Sequence, residues 1–145
     1  MQKFDNYEVI TKNAEETAEV ASSFAKELNN GAIVLLSGDL GAGKTVFSKG
    51  FVAGRGVDCE VVSPTFTIMN EYGNGKVYHF DLYRLNSIAE FEGTGAYEQL
   101  FSDGVSIVEW PEVVGFEYFP EDAYVVKIIK INENTRKIKV ERNVL

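Results

Sequence analysis

The chain is 145 residues long, 45% hydrophobic and 25% charged, with a formal net charge of −8 and an isoelectric point near 4.7. That length suits one domain, residues 1–145, with a genuine core, and no apolar run approaches the ~20 residues of a membrane-spanning helix, so no membrane partner is expected. The acidic balance excludes an easy reading as a solitary nucleic-acid binder, because such binding rests on neutralising phosphates with Lys and Arg.

In chain order, "YEVI" (Tyr7–Ile10) predicts a short strand. "NAEETAEVASSFAKEL" predicts a helix, with Asn13 as N-cap and Glu16 at the capping-box spacing. Ala14, Ala18, Ala21, Ala25 and Leu28 recur along one face, and "NNG" (Asn29–Gly31) closes the segment. "AIVLLS" (Ala32–Ser37) is apolar throughout, as in a strand covered on both faces of a parallel sheet. A glycine-rich loop follows, then a helix from Lys44 to about Ala53. Cys59 stands between Asp58 and Glu60, which should keep its thiol protonated and inert. A lone cysteine without a leader-like segment suits the reducing cytoplasm.

"TFTIMNEY" (Thr65–Tyr72) and "KVYHFDLY" (Lys76–Tyr83) predict a hairpin across "GNG" (Gly73–Gly75). A helical stretch is expected over about Ser87–Leu100, interrupted at Gly93–Gly95. "VSIVEW" (Val105–Trp110) predicts another buried strand, ended by Pro111. "AYVVKIIKI" and "KIKVERNVL", flanking "NENTR", predict a second hairpin. The order implies an α/β fold, with a mixed sheet, a parallel centre, antiparallel marginal strands and helices on both faces.

The loop "GDLGAGKT" matches G-x-x-x-x-G-K-[ST] without a mismatch. In such a P-loop the glycines let successive N–H groups point at phosphate oxygens. The following helix adds its positive end, the lysine reaches the β and γ phosphates, and the Ser/Thr hydroxyl ligates Mg²⁺. The expected nucleotide contacts are therefore Gly38, Asp39, Leu40, Gly41, Ala42, Gly43, Lys44, Thr45 and Val46. Hydrolysis also needs acids near the metal and the attacking water. Asp81 and Glu109 each end an apolar strand, where ligands of such sheets bind, and both are candidates for the metal and for catalysis together with Thr45 and Lys44. Their division of labour stays open from the residues alone.

"SPTFT" (Ser63–Thr67) is a candidate switch segment, with Thr65 the candidate catalytic hydroxyl. The guanine-reading N-K-x-D signature is absent, so the expected cofactors are ATP and Mg²⁺. The adenine is placed near the start of the first helix (Asn13–Thr17) or near "NENTR". Four arginines, Arg55, Arg84, Arg136 and Arg142, are too few for a typical P-loop kinase of small molecules. That kinase and a non-catalytic, nucleotide-dependent binding module are the competing readings.

"GDLGAGKT", "SPTFT", "HFDLYRL" and "VEWPE", in this order, resemble the TsaE (YjeE) family, the P-loop ATPases of bacterial tRNA threonylcarbamoyladenosine biosynthesis, over about Asn13–Glu112. The resemblance implies a P-loop NTPase-like fold and an ATPase that is weak alone and activated by TsaB and TsaD, with tRNA met only through those partners. It implies that Glu109 is the metal-associated acid, Asp81 the other essential acid, Thr65 part of a switch-like loop and Trp110 the tryptophan beside the acid. His79 matches the family histidine. It is read here as out of step with the alternation of Asp81 and is expected to hold a structural hydrogen bond.

Overall fold

The computed structural model describes residues 3–39, 41–62, 64 and 68–144. Seven strands form one sheet: β1 (Asn6–Thr11), β2 (Ile33–Ser37), β3 (Met69–Tyr72), β4 (Val77–Asp81), β5 (Val105–Glu109), β6 (Tyr124–Lys130) and β7 (Arg136–Arg142). Their spatial order is β1-β7-β6-β2-β5-β4-β3. The run β6-β2-β5-β4 is parallel. β3 pairs antiparallel with β4 at one margin, and β7 and β1 are antiparallel at the other. The terminal hairpin is therefore part of the main sheet, with β6 seated directly beside β2.

The apolar runs behave as fully covered strands. Ile33–Leu36 and all five residues of β5 are buried. Two core clusters result, one on each face. On the first face α1 (Ala14–Glu27) and α2 (Lys44–Gly54) pack Phe24, Phe47 and Phe51 against Val34, Leu36, Ile107, Val126 and Ile138. On the second, α3 (Ile88–Gly93) and short 3₁₀ turns pack Phe91, Leu100 and Phe119 against Leu35, Phe80, Val108 and Val125.

α1 begins as the sequence reads. Asn13 Oδ1 accepts from the Glu16 N–H at 2.8 Å, while Glu16 Oε1 accepts from the Lys12 N–H at 2.7 Å. The reciprocal bond thus lands one residue upstream of the N-cap. The far end of α1 is held by Arg55, at the end of α2, whose Nη1 donates to the carbonyls of Ala25 and Leu28. The two helices meet across small residues, because a Cβ added at Gly50 would run into the Ala18 backbone and one at Gly54 into that of Ser22. This close crossing lays α2 down with its N-terminus at the carboxyl ends of the central strands.

The helical stretch expected over Ser87–Leu100 is two pieces. α3 ends at Gly93, Gly95 turns the chain at φ 77°, and a 3₁₀ segment runs over Ala96–Phe101. The β3–β4 connection takes four residues, with Gly73, Asn74 and Gly75 all in the left-handed region. Of the strand expected over Thr65–Tyr72, Met69–Tyr72 is strand and Thr65–Thr67 lie outside the described residues. No helix among the described residues is long and apolar enough to cross a membrane.

Candidate active site

β2 delivers the chain to the glycine-rich loop. Leu36 pairs in register with Glu109 of β5, and Glu109 with Asp81 of β4, so the loop and both candidate acids emerge at one edge of the sheet. β6 closes the loop from the side, since a Cβ on Gly38 would lie 2.8 Å from the Ile128 carbonyl oxygen. Gly41 (φ 81°) and Gly43 (φ 106°) take conformations that an L side chain adopts only under strain,. Gly43 caps α2, whose first residues are Lys44 and Thr45.

Lys44 is only 7% exposed, and its Nζ has no hydrogen-bond partner among the described residues. The ammonium lies over the Trp110 ring, 3.8 Å from its centroid. Burial holds its pKa below the usual lysine range, against the opposing pull of Glu109, Glu112, Asp81 and Asp39. A buried ammonium with donors unspent is chemically suited to an anion such as phosphate.

Glu109 is 4% exposed, and its Oε2 meets His79 Nε2 at 2.5 Å. His79 precedes Asp81 by two residues in β4 and shares its face, so it is in step with the acid, contrary to the sequence-based expectation. It does carry the expected hydrogen bond, and through it Glu109 has a fixed position. Asp81 is half-buried, with Oδ1 accepting from the Tyr83 N–H at 3.0 Å. Burial raises its carboxyl pKa, the Tyr83 hydrogen bond opposes that, and Glu109 adds to it.

Other candidates fall differently. Thr45 is exposed at the start of α2. Leu40 and Thr65 lie outside the described residues. Asn13 and Val46 meet across Gly43 in a cavity of about 120 Å³, lined also by Ala14, Thr17, Glu133, Asn134 and Arg136. The start of the first helix and the "NENTR" hairpin, two separate placements for the adenine in sequence, are therefore one wall and the other of a single pocket beside the P-loop. A larger concavity, about 770 Å³, lies at the opposite end of the sheet, between the end of α1 and the start of β6.

Two sets of contacts to the loop region escape a sequence reading. Arg136 Nε donates to the Ala42 carbonyl at 2.7 Å, and Nη2 to that of Gly41 at 3.3 Å. Glu112 accepts from the Ser37 hydroxyl at 2.6 Å, just ahead of the loop. Nothing local in the sequence links either residue to a loop some 75–95 positions away.

No group of three or more His, Cys, Asp or Glu side chains among the described residues could hold a metal by itself. The donors at hand are one hydroxyl, Thr45, and the carboxylates of Glu109 and Asp81. That set fits Mg²⁺, which keeps several waters and is held by one or two protein oxygens plus substrate phosphates.

The model of the family described as "Threonylcarbamoyl adenosine biosynthesis protein TsaE" matches residues 11–138. The chain belongs to the TsaE family. The match runs into the last strand, and so includes Arg136. The chain is 37% identical over 132 residues to the tRNA threonylcarbamoyladenosine biosynthesis protein TsaE of Treponema pallidum, covering 90% of this chain and 97% of that protein. It is 40% identical over 130 residues to the TsaE of Bacillus subtilis, with 88% and 80% covered. Its fold is similar to the crystal structure of Bacillus subtilis YdiB, with a TM-score of 0.79 and 32% identity over 99% of this chain and 90% of that one.

Proposed function

We propose that this member of the TsaE family is a Mg²⁺-dependent ATPase serving tRNA threonylcarbamoyladenosine biosynthesis together with TsaB and TsaD proteins. The observation that carries the reading is the buried Lys44 ammonium, without a hydrogen-bond partner among the described residues, at the mouth of a P-loop, with Asp81 and Glu109 in register on the adjoining strand ends.

In this reading the loop amides and Lys44 hold the phosphates. Thr45 and Glu109 hold the magnesium ion, whose chemistry is to neutralise charge on the β and γ phosphates. Glu109 suits that task because His79 fixes its carboxylate. Asp81 suits a different one: its raised proton affinity fits a group that orients the attacking water and takes its proton,. The pocket between Asn13 and Arg136 receives the adenine.

The kinase reading loses ground on the arginines. Arg55 caps α1, Arg136 holds P-loop carbonyls, and Arg142 bonds Asp5 and the Asp122 carbonyl. These three are committed to protein oxygens. The net charge of −8 supports tRNA contact through partner proteins rather than directly,.

The test is ATP hydrolysis by the purified chain, alone and with TsaB and TsaD, beside Lys44→Ala and Glu109→Gln. Weak turnover that rises strongly with the partners, and is lost in both variants, is expected. Turnover unmoved by the partners would refute the pathway assignment. Full cellular function of a variant that binds ATP without hydrolysing it would favour a nucleotide-dependent docking module.

A further inference from the structure

The contact between Lys44 and Trp110 is unusual in what it lacks. Four carboxylates, those of Glu109, Glu112, Asp81 and Asp39, attract the Lys44 ammonium, yet none accepts a hydrogen bond from it. The ammonium rests instead on an aromatic face, 3.8 Å from the ring centroid. A ring quadrupole attracts a cation without taking up its N–H donors, so the lysine is held and its three donors stay available.

Trp110 is placed there against local preference. Its backbone is left-handed, φ 59° and ψ 47°, between the end of β5 and the 3₁₀ turn begun by Pro111. For a bulky L residue that conformation costs roughly 1–2 kcal/mol, and it persists only where the surroundings impose it. Tyr83 braces the indole from a neighbouring strand end, with ring centroids 4.9 Å apart, and Tyr83 is itself tied to Asp81. The indole also packs against the second core cluster. Two separate contacts thus fix one ring beneath one ammonium.

We propose that Trp110 is the resting place of the Lys44 ammonium in the nucleotide-free protein, and that it competes with phosphate oxygens for that ammonium and so sets nucleotide affinity. The inference rests on the nucleotide-binding reading above. Trp110 is a positioning residue, acting through Lys44. Binding withdraws the ammonium from the ring and spends its donors on the anion. The ring opposes tight binding and keeps the lysine in place between turnovers.

The sign of the effect separates this from any supporting role. Magnesium–ADP binding is measured by calorimetry on wild type, Trp110→Phe and Trp110→Leu, with thermal melts to show that each is folded. Removing the competitor makes Trp110→Leu bind roughly 3- to 30-fold more tightly. Trp110→Phe, with a weaker ring, falls between. A tryptophan that contacts the nucleotide, or merely shores up the site, gives weaker binding on removal.

A second measurement uses the fact that Trp110 is the chain's sole tryptophan. Ligand-free Lys44→Met should show the emission of ADP-saturated wild type, since both have lost the ammonium from the ring. Should Trp110→Leu fail to fold, Trp110→Phe and the emission spectra decide. Unchanged or weaker ADP binding in the tryptophan variants, or Lys44→Met emission equal to that of ligand-free wild type, overturns the proposal. A wild type that binds no ADP brings down the nucleotide reading and this inference together, whereas normal wild-type binding with unmoved variants brings down only this one.

Discussion

Arg136 links the last hairpin to the phosphate loop, and its removal makes a quantitative prediction. One guanidinium donates to Ala42 and Gly41 of the loop and, through Nη1, to the carbonyls of Asn132, Glu133 and Thr135 in its own turn. Hydrogen bonds from a charged donor contribute about 1.5–3 kcal/mol when buried. These are partly exposed, and the carbonyls can rehydrate, so about 1 kcal/mol for the short Ala42 contact and about 1 kcal/mol for the rest together is a fair estimate. Arg136→Ala should then lower stability by about 2 kcal/mol, a fall in Tm of roughly 5–8 °C for a chain of this size. A loop that must be re-ordered on binding should weaken nucleotide affinity about tenfold. Arg136→Lys should resemble the alanine variant, because an ammonium cannot fork across two segments. Lys127→Ala, which loses only an exposed 3.5 Å pair with Glu141, should change neither quantity appreciably,. Calorimetric titration with Mg²⁺ and ADP, and separately with pyrophosphate, distinguishes anchoring from direct contact. Loop anchoring weakens both ligands, and a loss confined to ADP, or no loss at all, would refute it.

Other outcomes follow from burial and charge. Lys44→Met should abolish tight nucleotide binding yet melt no lower than wild type at neutral pH, because it removes a buried ammonium that no hydrogen bond compensates among the described residues. Since the folded pKa of Lys44 is lowered, the unfolded chain holds more protons between that value and the usual lysine range; wild-type stability gains a rising contribution across that window, and the variant lacks it,. Asp81 is the opposite case: its raised folded pKa favours the fold below the usual carboxylate range, a contribution lost as pH rises through the folded value,. Asp81→Asn, whose side-chain oxygen can still accept from Tyr83, should therefore melt higher than wild type at pH 7 while losing hydrolysis. Gly50→Val should lose about 3 kcal/mol or fail to fold, as its side chain would enter the Ala18 backbone,; a melt unchanged from wild type would refute the close helix crossing.

What the sequence discloses about this molecule is whatever its chemistry encodes locally. The P-loop is legible because glycine, lysine and threonine at fixed offsets carry their own reason. The parallel centre is legible because "IVLL" and "VSIVE" lack polar alternation and so must be covered twice,. The cap of α1 needs only Asn13 and Glu16. Features built from distant partners are not legible. Pairing of β6 with β2, Glu112 with Ser37 and Arg136 with Ala42 are settled by the fold. The packing of α1 on α2 through Gly50 and Gly54 passes for ordinary glycine usage until the helices are in contact. Trp110 reads as the last residue of a strand, and nothing local announces its left-handed turn. The face shared by His79 and Asp81 was available from their spacing alone, and only the structure brings it out.

The charges at the site bear on how nucleotide and metal are recognised. One ammonium, Lys44, faces Glu109, Glu112, Asp81 and Asp39, in a chain already at −8. On the proposed function, a bare polyphosphate entering here would gain the Lys44 ammonium and the loop amides while meeting several carboxylates, in a setting where burial strengthens every such term,. A divalent ion reverses the balance, because the same carboxylates then attract it and it in turn screens the phosphates. Recognition of nucleotide and of metal should therefore be strongly coupled, each raising affinity for the other by the same factor. On that reading the acids would disfavour a metal-free polyphosphate at a loop whose glycines and lysine suit an anion of that shape.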